Sequence, residues 1–175
     1  MRQDEQLNKI GNLISSGLEK YESIIFLIFL GGIILKAAAG FPVNIIMVLA
    51  LSTLGTMYFL NAFSITKDEN AGGIERFIQK IASFAESIGV IGILFKLQNW
   101  PGSSAMIINS SVILIILLPV ILKIKSKKPE LRIFTSRMIL RIFLIAVLGL
   151  TLKFTSKDLF YKFGIIETIK TEKTE

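Results

Sequence analysis

The sequence contains no cysteine and no histidine. That excludes disulfides, thiolate nucleophiles, Cys/His zinc or haem sites and every histidine-based triad. It leaves the compartment open, because a membrane protein can lack cysteine anywhere. There is one tryptophan and there are four prolines, so each of these residues marks a particular place. Acidic residues are scarce inside the apolar stretches. No glycine-rich phosphate loop, carboxylate dyad or activated nucleophile emerges. No catalytic, metal-binding or cofactor-binding residue is therefore expected, and the chain is expected not to be an enzyme.

What is present is apolar sequence in long blocks. Hydrophobic residues make up 52% of the 175 residues, and the mean hydropathy is +0.64. Residues 43–63 and 105–122 carry no charge at all. A membrane-crossing helix needs roughly 17–25 mostly apolar residues, and both blocks provide that. The net charge of +7 then points to topology and anionic lipid headgroups, with the bilayer rather than nucleic acid as partner.

Residues 1–22 read as an amphipathic lead-in, with Leu7, Ile10, Leu13, Ile14 and Leu18 at helical spacing. They lack the apolar run of a cleavable signal peptide. A first hairpin is expected over residues 23–63, its spans at 24–39 and 43–63 joined by a turn at Gly40, Phe41 and Pro42. A polar loop at 64–80 leads to a second hairpin at 81–122. Its spans at 81–97 and 105–122 are joined by Gln98, Asn99, Trp100, Pro101 and Gly102. A basic loop at 123–137, a fifth span at 138–154 and a mixed-charge tail at 155–175 follow. Leu159, Phe160, Tyr161, Phe163, Ile165 and Ile166 form an apolar patch in the tail that suits the membrane interface. The fold class is all-α: a polytopic transmembrane protein of about five spans arranged as repeated hairpins.

The repeat is visible in the residues. The first, third and fifth spans end Gly32-Ile33-Ile34-Leu35-Lys36, Gly92-Ile93-Leu94-Phe95-Lys96 and Gly149-Leu150-Thr151-Leu152-Lys153. Gly and Lys four apart share a helix face. The glycine admits a neighbouring helix. The lysine reaches towards the headgroups and suits the negative end of the helix dipole. As anchors, Lys36, Lys96, Lys153 and Trp100 would mark one interface.

Thirteen of the 20 basic residues fall on the side that holds the N-terminus: Arg2, Lys9, Lys20, Lys67, Arg76, Lys80, Lys123, Lys125, Lys127, Lys128, Arg132, Arg137 and Arg141. That bias places the N-terminus in the cytoplasm. Glu86 is the acidic residue inside a predicted span. A carboxylate there is costly and draws attention as a functional group. It is expected either to pair with a nearby base, Arg141 first by depth, or to reach the interface. Gln79, Ser83 and Glu86 share one helix face. Ser52, Thr53, Thr56, Asn109, Ser110 and Ser111 are expected to form hydrogen bonds between helices.

Gly89-Val90-Ile91-Gly92-Ile93-Leu94, followed by Phe95-Lys96-Leu97-Gln98-Asn99-Trp100-Pro101-Gly102 and an apolar span, resembles the N-terminal membrane hairpin of GldL, the inner-membrane motor protein of gliding motility and type IX secretion. Phe95, Lys96, Trp100, Pro101 and Gly102 match that family's Phe-Lys-Ile-x-His-Trp-Pro-Gly-like turn, with Asn99 where histidine is usual. The resemblance covers about 40 residues. It implies a periplasmic turn and a bacterial inner-membrane address. The family's second helix carries an intramembrane glutamate that is implicated in proton use, and residues 101–122 contain none. The family's cytoplasmic coiled-coil region has no counterpart either. The expectation is a structural or interaction protein, with other envelope membrane proteins or a second copy of itself as partners. The alternative is a small transporter or ion-coupled subunit working through Glu86 and the span-end lysines.

Overall fold

The computed structural model describes residues 3–39, 44–64, 71–131 and 133–155. Five helices lie in this part: α1 (Gln3–Ala39), α2 (Asn44–Asn61), α3 (Gly73–Leu97), α4 (Ser103–Lys127) and α5 (Ser136–Phe154). No strand occurs among the described residues. Three helices, α2, α3 and α4, are long and apolar enough to cross a membrane. Arg137 and Arg141 lie in the first turns of α5, and Lys153 lies in its last turn. The first half of α1 mixes charged and polar residues with Leu7, Ile10, Leu13, Ile14 and Leu18.

Several boundaries differ from those expected. The lead-in and first span form one continuous helix, because no helix breaker separates them. The loop expected at 64–80 is shorter, since α3 starts at Gly73. Charged residues there mask an apolar periodicity that includes the buried Ile78. The basic loop also shrinks, because α4 runs to Lys127 and α5 starts at Ser136. What remains is folded onto the bundle: Leu131, Ile133 and Phe134 are buried in the core. Lys125 ties it down by donating to the carbonyls of Pro129 and Leu131, at 3.0 and 2.7 Å. Lys128 donates to Glu75 Oε1 at 2.8 Å. That bond holds its ammonium above the ordinary lysine range. The Thr135 hydroxyl caps α5 by accepting from the Met138 amide, at 3.1 Å.

Consecutive helices pack against one another, and α3 also packs on α5. This makes α3 the central helix. Of its apolar span 67% is buried, against 39% for α2 and 28% for α4. Small residues set the close approaches. A Cβ on Gly92 would lie 3.0 Å from Met106 and 3.1 Å from Ile107, and one on Gly149 would lie 3.3 Å from Ile107. Two copies of the repeated glycine thus seat the same α4 residue. Gly11 touches the chain at Phe63 and Ser64, where any Cβ would come within 2.6 Å of backbone. The outward faces stay apolar, as at Leu27 and Ile34 of α1, Leu49 of α2, Ile116 of α4 and Phe143 of α5. Exposed apolar surface on this scale suits a lipid environment. In the lead-in, Leu18 is buried, but Leu13 is 66% exposed. The bundle therefore covers its amphipathic stripe only in part.

Candidate functional site

Four helices each bring one polar side chain to a single point. Glu86, in the middle of α3, is fully buried. Arg141, about one and a half turns into α5, places Nε 3.0 Å from Glu86 Oε2. Its Nη1 donates to Glu22 Oε2 of α1, at 3.2 Å. Glu22 Oε1 in turn accepts from the Tyr58 hydroxyl of α2, at 2.7 Å. The guanidinium carbon also lies 4.6 Å from the centre of the Tyr58 ring, within cation–π range. Arg141 and Glu22 are only 9% and 18% exposed.

The guanidinium sits between two carboxylates, and the tyrosine covers it. Its planar array of donors suits this shared role in a way that a lysine ammonium would not. The contact with Glu86 is electrostatic more than directional. Neither Glu86 oxygen has a hydrogen-bond donor among the described residues, nor does Arg141 Nε have an acceptor. Breaking a buried pair of this kind strands the remaining charge, at a cost of about 3–5 kcal/mol.

Around the cluster, α3 continues a polar line. Gln79, Ser83, Glu86 and Ser87 are all buried. Asn61 Nδ2 donates to Ser83 Oγ at 3.1 Å, and Ser87 Oγ donates to the Gly55 carbonyl at 2.8 Å. These bonds join α2 to α3. The serines and threonines expected to link helices behave differently. Thr56 Oγ1 donates to the Ser52 carbonyl and Ser110 Oγ to the Ile107 carbonyl, each within its own helix. Small hydroxyls reach their own preceding turn easily, whereas Ser87 faces a glycine that leaves the opposing carbonyl accessible.

The span-end lysines lie apart from Glu86. Lys36, Lys96 and Lys153 sit in the last turns of α1, α3 and α5. Lys96 follows Glu86 by ten residues, about 15 Å of helix. Lys36 is buried and donates to Asn44 Oδ1 across the α1–α2 connection. Lys96 lines a recess of about 400 Å³ with Asn99, Trp100, Pro101, Gly102, Ser103 and Ser104. Trp100 packs edge-on against Phe95, with ring centres 5.1 Å apart, and its amide donates to the Phe95 carbonyl at 2.8 Å. Asn99 and Gly102 hold the turn in the left-handed region, at φ 54° and 87°. Asparagine tolerates that conformation better than most residues. Gly32 is buried in α1.

The pairing of Glu86 with Arg141 is thus present. Arg76 and Lys80 are exposed on the first turns of α3. Sequence reading missed Glu22 and Tyr58. Glu22 stands at the junction of polar and apolar sequence, where it reads as a solvated boundary, and Tyr58 lies in a charge-free run. The turn at Gly40 to Pro42 and the apolar patch of the tail lie outside the described residues. No group of three metal-ligating side chains gathers among the described residues. No known protein family, curated protein or solved structure matches the chain.

Proposed function

We propose that this chain is a non-enzymatic, polytopic protein of the bacterial inner membrane with a structural or interaction role. About five spans form repeated hairpins, the N-terminus is cytoplasmic, and the Trp100 turn is periplasmic. The distribution of basic residues supports that orientation. The likeness of residues 89–102 to the GldL hairpin supports a place beside a gliding-motility or secretion-type envelope complex. The observation that carries the structural reading is the internal use of the charge. Glu86, Arg141, Glu22 and Tyr58 engage one another and hold α1, α2, α3 and α5 together. Cysteines introduced at Asn99 and Ser126 should label from opposite sides of the membrane. Labelling from one side contradicts the five-span arrangement.

A second reading, an ion-coupled subunit, rests on the Glu86 oxygens that lack a hydrogen-bond donor and on the line of Gln79 and Ser83 leading to them. Proteoliposome flux decides between the two. The structural reading expects no proton or ion flux above empty vesicles. Flux that disappears in Glu86→Gln supports the coupled subunit.

A further inference from the structure

We propose that the outward face of α4 pairs two copies of this chain side by side in one membrane, through reciprocal hydrogen bonds between their Asn109 amides. The proposal rests on the reading that the bundle crosses a bilayer, and it names the surface and the residue for self-association. Helix α4 packs on α3 and α5, yet it is the least buried of the three long apolar helices. Ala105, Asn109, Val112 and Ile116 are all exposed on it. Their spacing of four, three and four residues sets them on one stripe, as along the seam between two paired helices.

Asn109 interrupts an otherwise apolar stripe. Its side chain forms no hydrogen bond with another described residue. The exposed hydroxyls of Thr56 and Thr151, by contrast, donate to carbonyls of their own helices, each at 2.8 Å. A carboxamide presents donors and an acceptor together, and hydrocarbon offers a partner to neither. Depth makes this costly. Lys123, on the same stripe, marks the headgroup level at the far end of the helix. Asn109 lies 14 residues before it, about 21 Å along the axis. With a hydrocarbon core about 30 Å thick, Asn109 stands about 9 Å inside the opposite surface. A side chain this short does not reach the headgroups from there. Chains inserted in one orientation present Asn109 at the same depth in every copy. A two-fold axis along the membrane normal then sets the two α4 helices parallel, with Asn109 facing Asn109. Each amide gives one hydrogen bond and accepts one. This self-complementarity selects a second copy as the occupant, since an unrelated helix would need its own polar group at that depth. An asparagine at such a seam fixes register and favours a pair of helices, and Ala105 lets the two backbones approach closely.

The chain has no cysteine of its own, so single cysteines report the contact directly. The full chain is oxidised mildly, in native membranes and again after purification and reconstitution into phospholipid vesicles. Val112→Cys, on the stripe, is expected to give a disulfide-linked dimer in both settings. Ile115→Cys, exposed on α4 but off the stripe, should stay monomeric. Adding Asn109→Leu to Val112→Cys should weaken the dimer about tenfold, read by dilution into more lipid. Asn109→Gln keeps the amide and should retain most of the pairing. Circular dichroism checks that each variant keeps its helices, and the comparison of Val112→Cys with Ile115→Cys stays decisive without any change at Asn109. Absence of the Val112→Cys dimer overturns the proposal, as does equal dimer from both cysteines or a dimer unmoved by Asn109→Leu. A Val112→Cys adduct with a different polypeptide in native membranes, with no dimer of the purified chain, overturns it and assigns the face to that partner. A monomer that stays in the membrane fraction leaves the membrane-spanning reading standing, whereas recovery of the chain from the aqueous fraction without detergent overturns that reading itself.

Discussion

The interior of the bundle and its lysine-bearing end treat charge in opposite ways. In the interior, Glu22, Glu86 and Arg141 are drawn between helices and compensate one another, with Tyr58 against them. At the lysine-bearing end, Lys36, Lys96 and Lys153 sit in the last turns of three separate helices. The difference is one of geometry. A lysine in the last turn of a helix has a long apolar stem and a nearby interface to reach. A glutamate in the middle of the central helix has neither, so another helix must bring the compensating charge. Burial in the interior therefore makes the helices depend on each other, whereas the lysine-bearing end tolerates change.

Substitutions can break or sharpen this contrast. The largest effect is expected from Arg141→Gln, which strands two carboxylates at once. It should lower stability by about 3–5 kcal/mol, measured by denaturation in detergent. Tyr58→Phe removes one hydrogen bond to a carboxylate and keeps the ring against the guanidinium. It should cost about 1.5–3 kcal/mol in the same assay. Lys96→Gln, at the lysine-bearing end, should change stability by about 1 kcal/mol or less. A Lys96→Gln effect as large as that of Arg141→Gln would erase the contrast. At the glycines, Gly31→Ala meets no neighbour within 4 Å and should stabilise by about 0.4–1 kcal/mol. Gly11→Ala, pressed against the backbone of Phe63, should destabilise.

Much of this was legible in the sequence where the signal is local. The apolar blocks predict α2 and α4 because their runs are unbroken. The Gly-x-x-x-Lys endings mark the last turns of α1, α3 and α5. Glu86 and Arg141 stand out because charge is rare at such depth, and matching depth suggests their pairing. What was not legible depends on tertiary direction. Nothing in a charge-free run tells Tyr58 from its neighbours until α2 is rotated against α1. Leu131, Ile133 and Phe134 are hidden in a basic segment that reads as solvated loop, and their burial follows only from the bundle end they cover.

The central claim is that Glu86 and Arg141 act as one buried unit joining α3 to α5. A double-mutant cycle of Glu86→Gln, Arg141→Gln and both together, read as unfolding free energy in detergent, tests it most directly. Glu86→Gln alone leaves Arg141 with Glu22, so it should cost less than Arg141→Gln. The double variant should be more stable than the sum of the single effects requires, with an interaction energy of about 0.5–3 kcal/mol. Strictly additive effects would contradict the account and leave Glu86 as a carboxylate buried without an energetic partner.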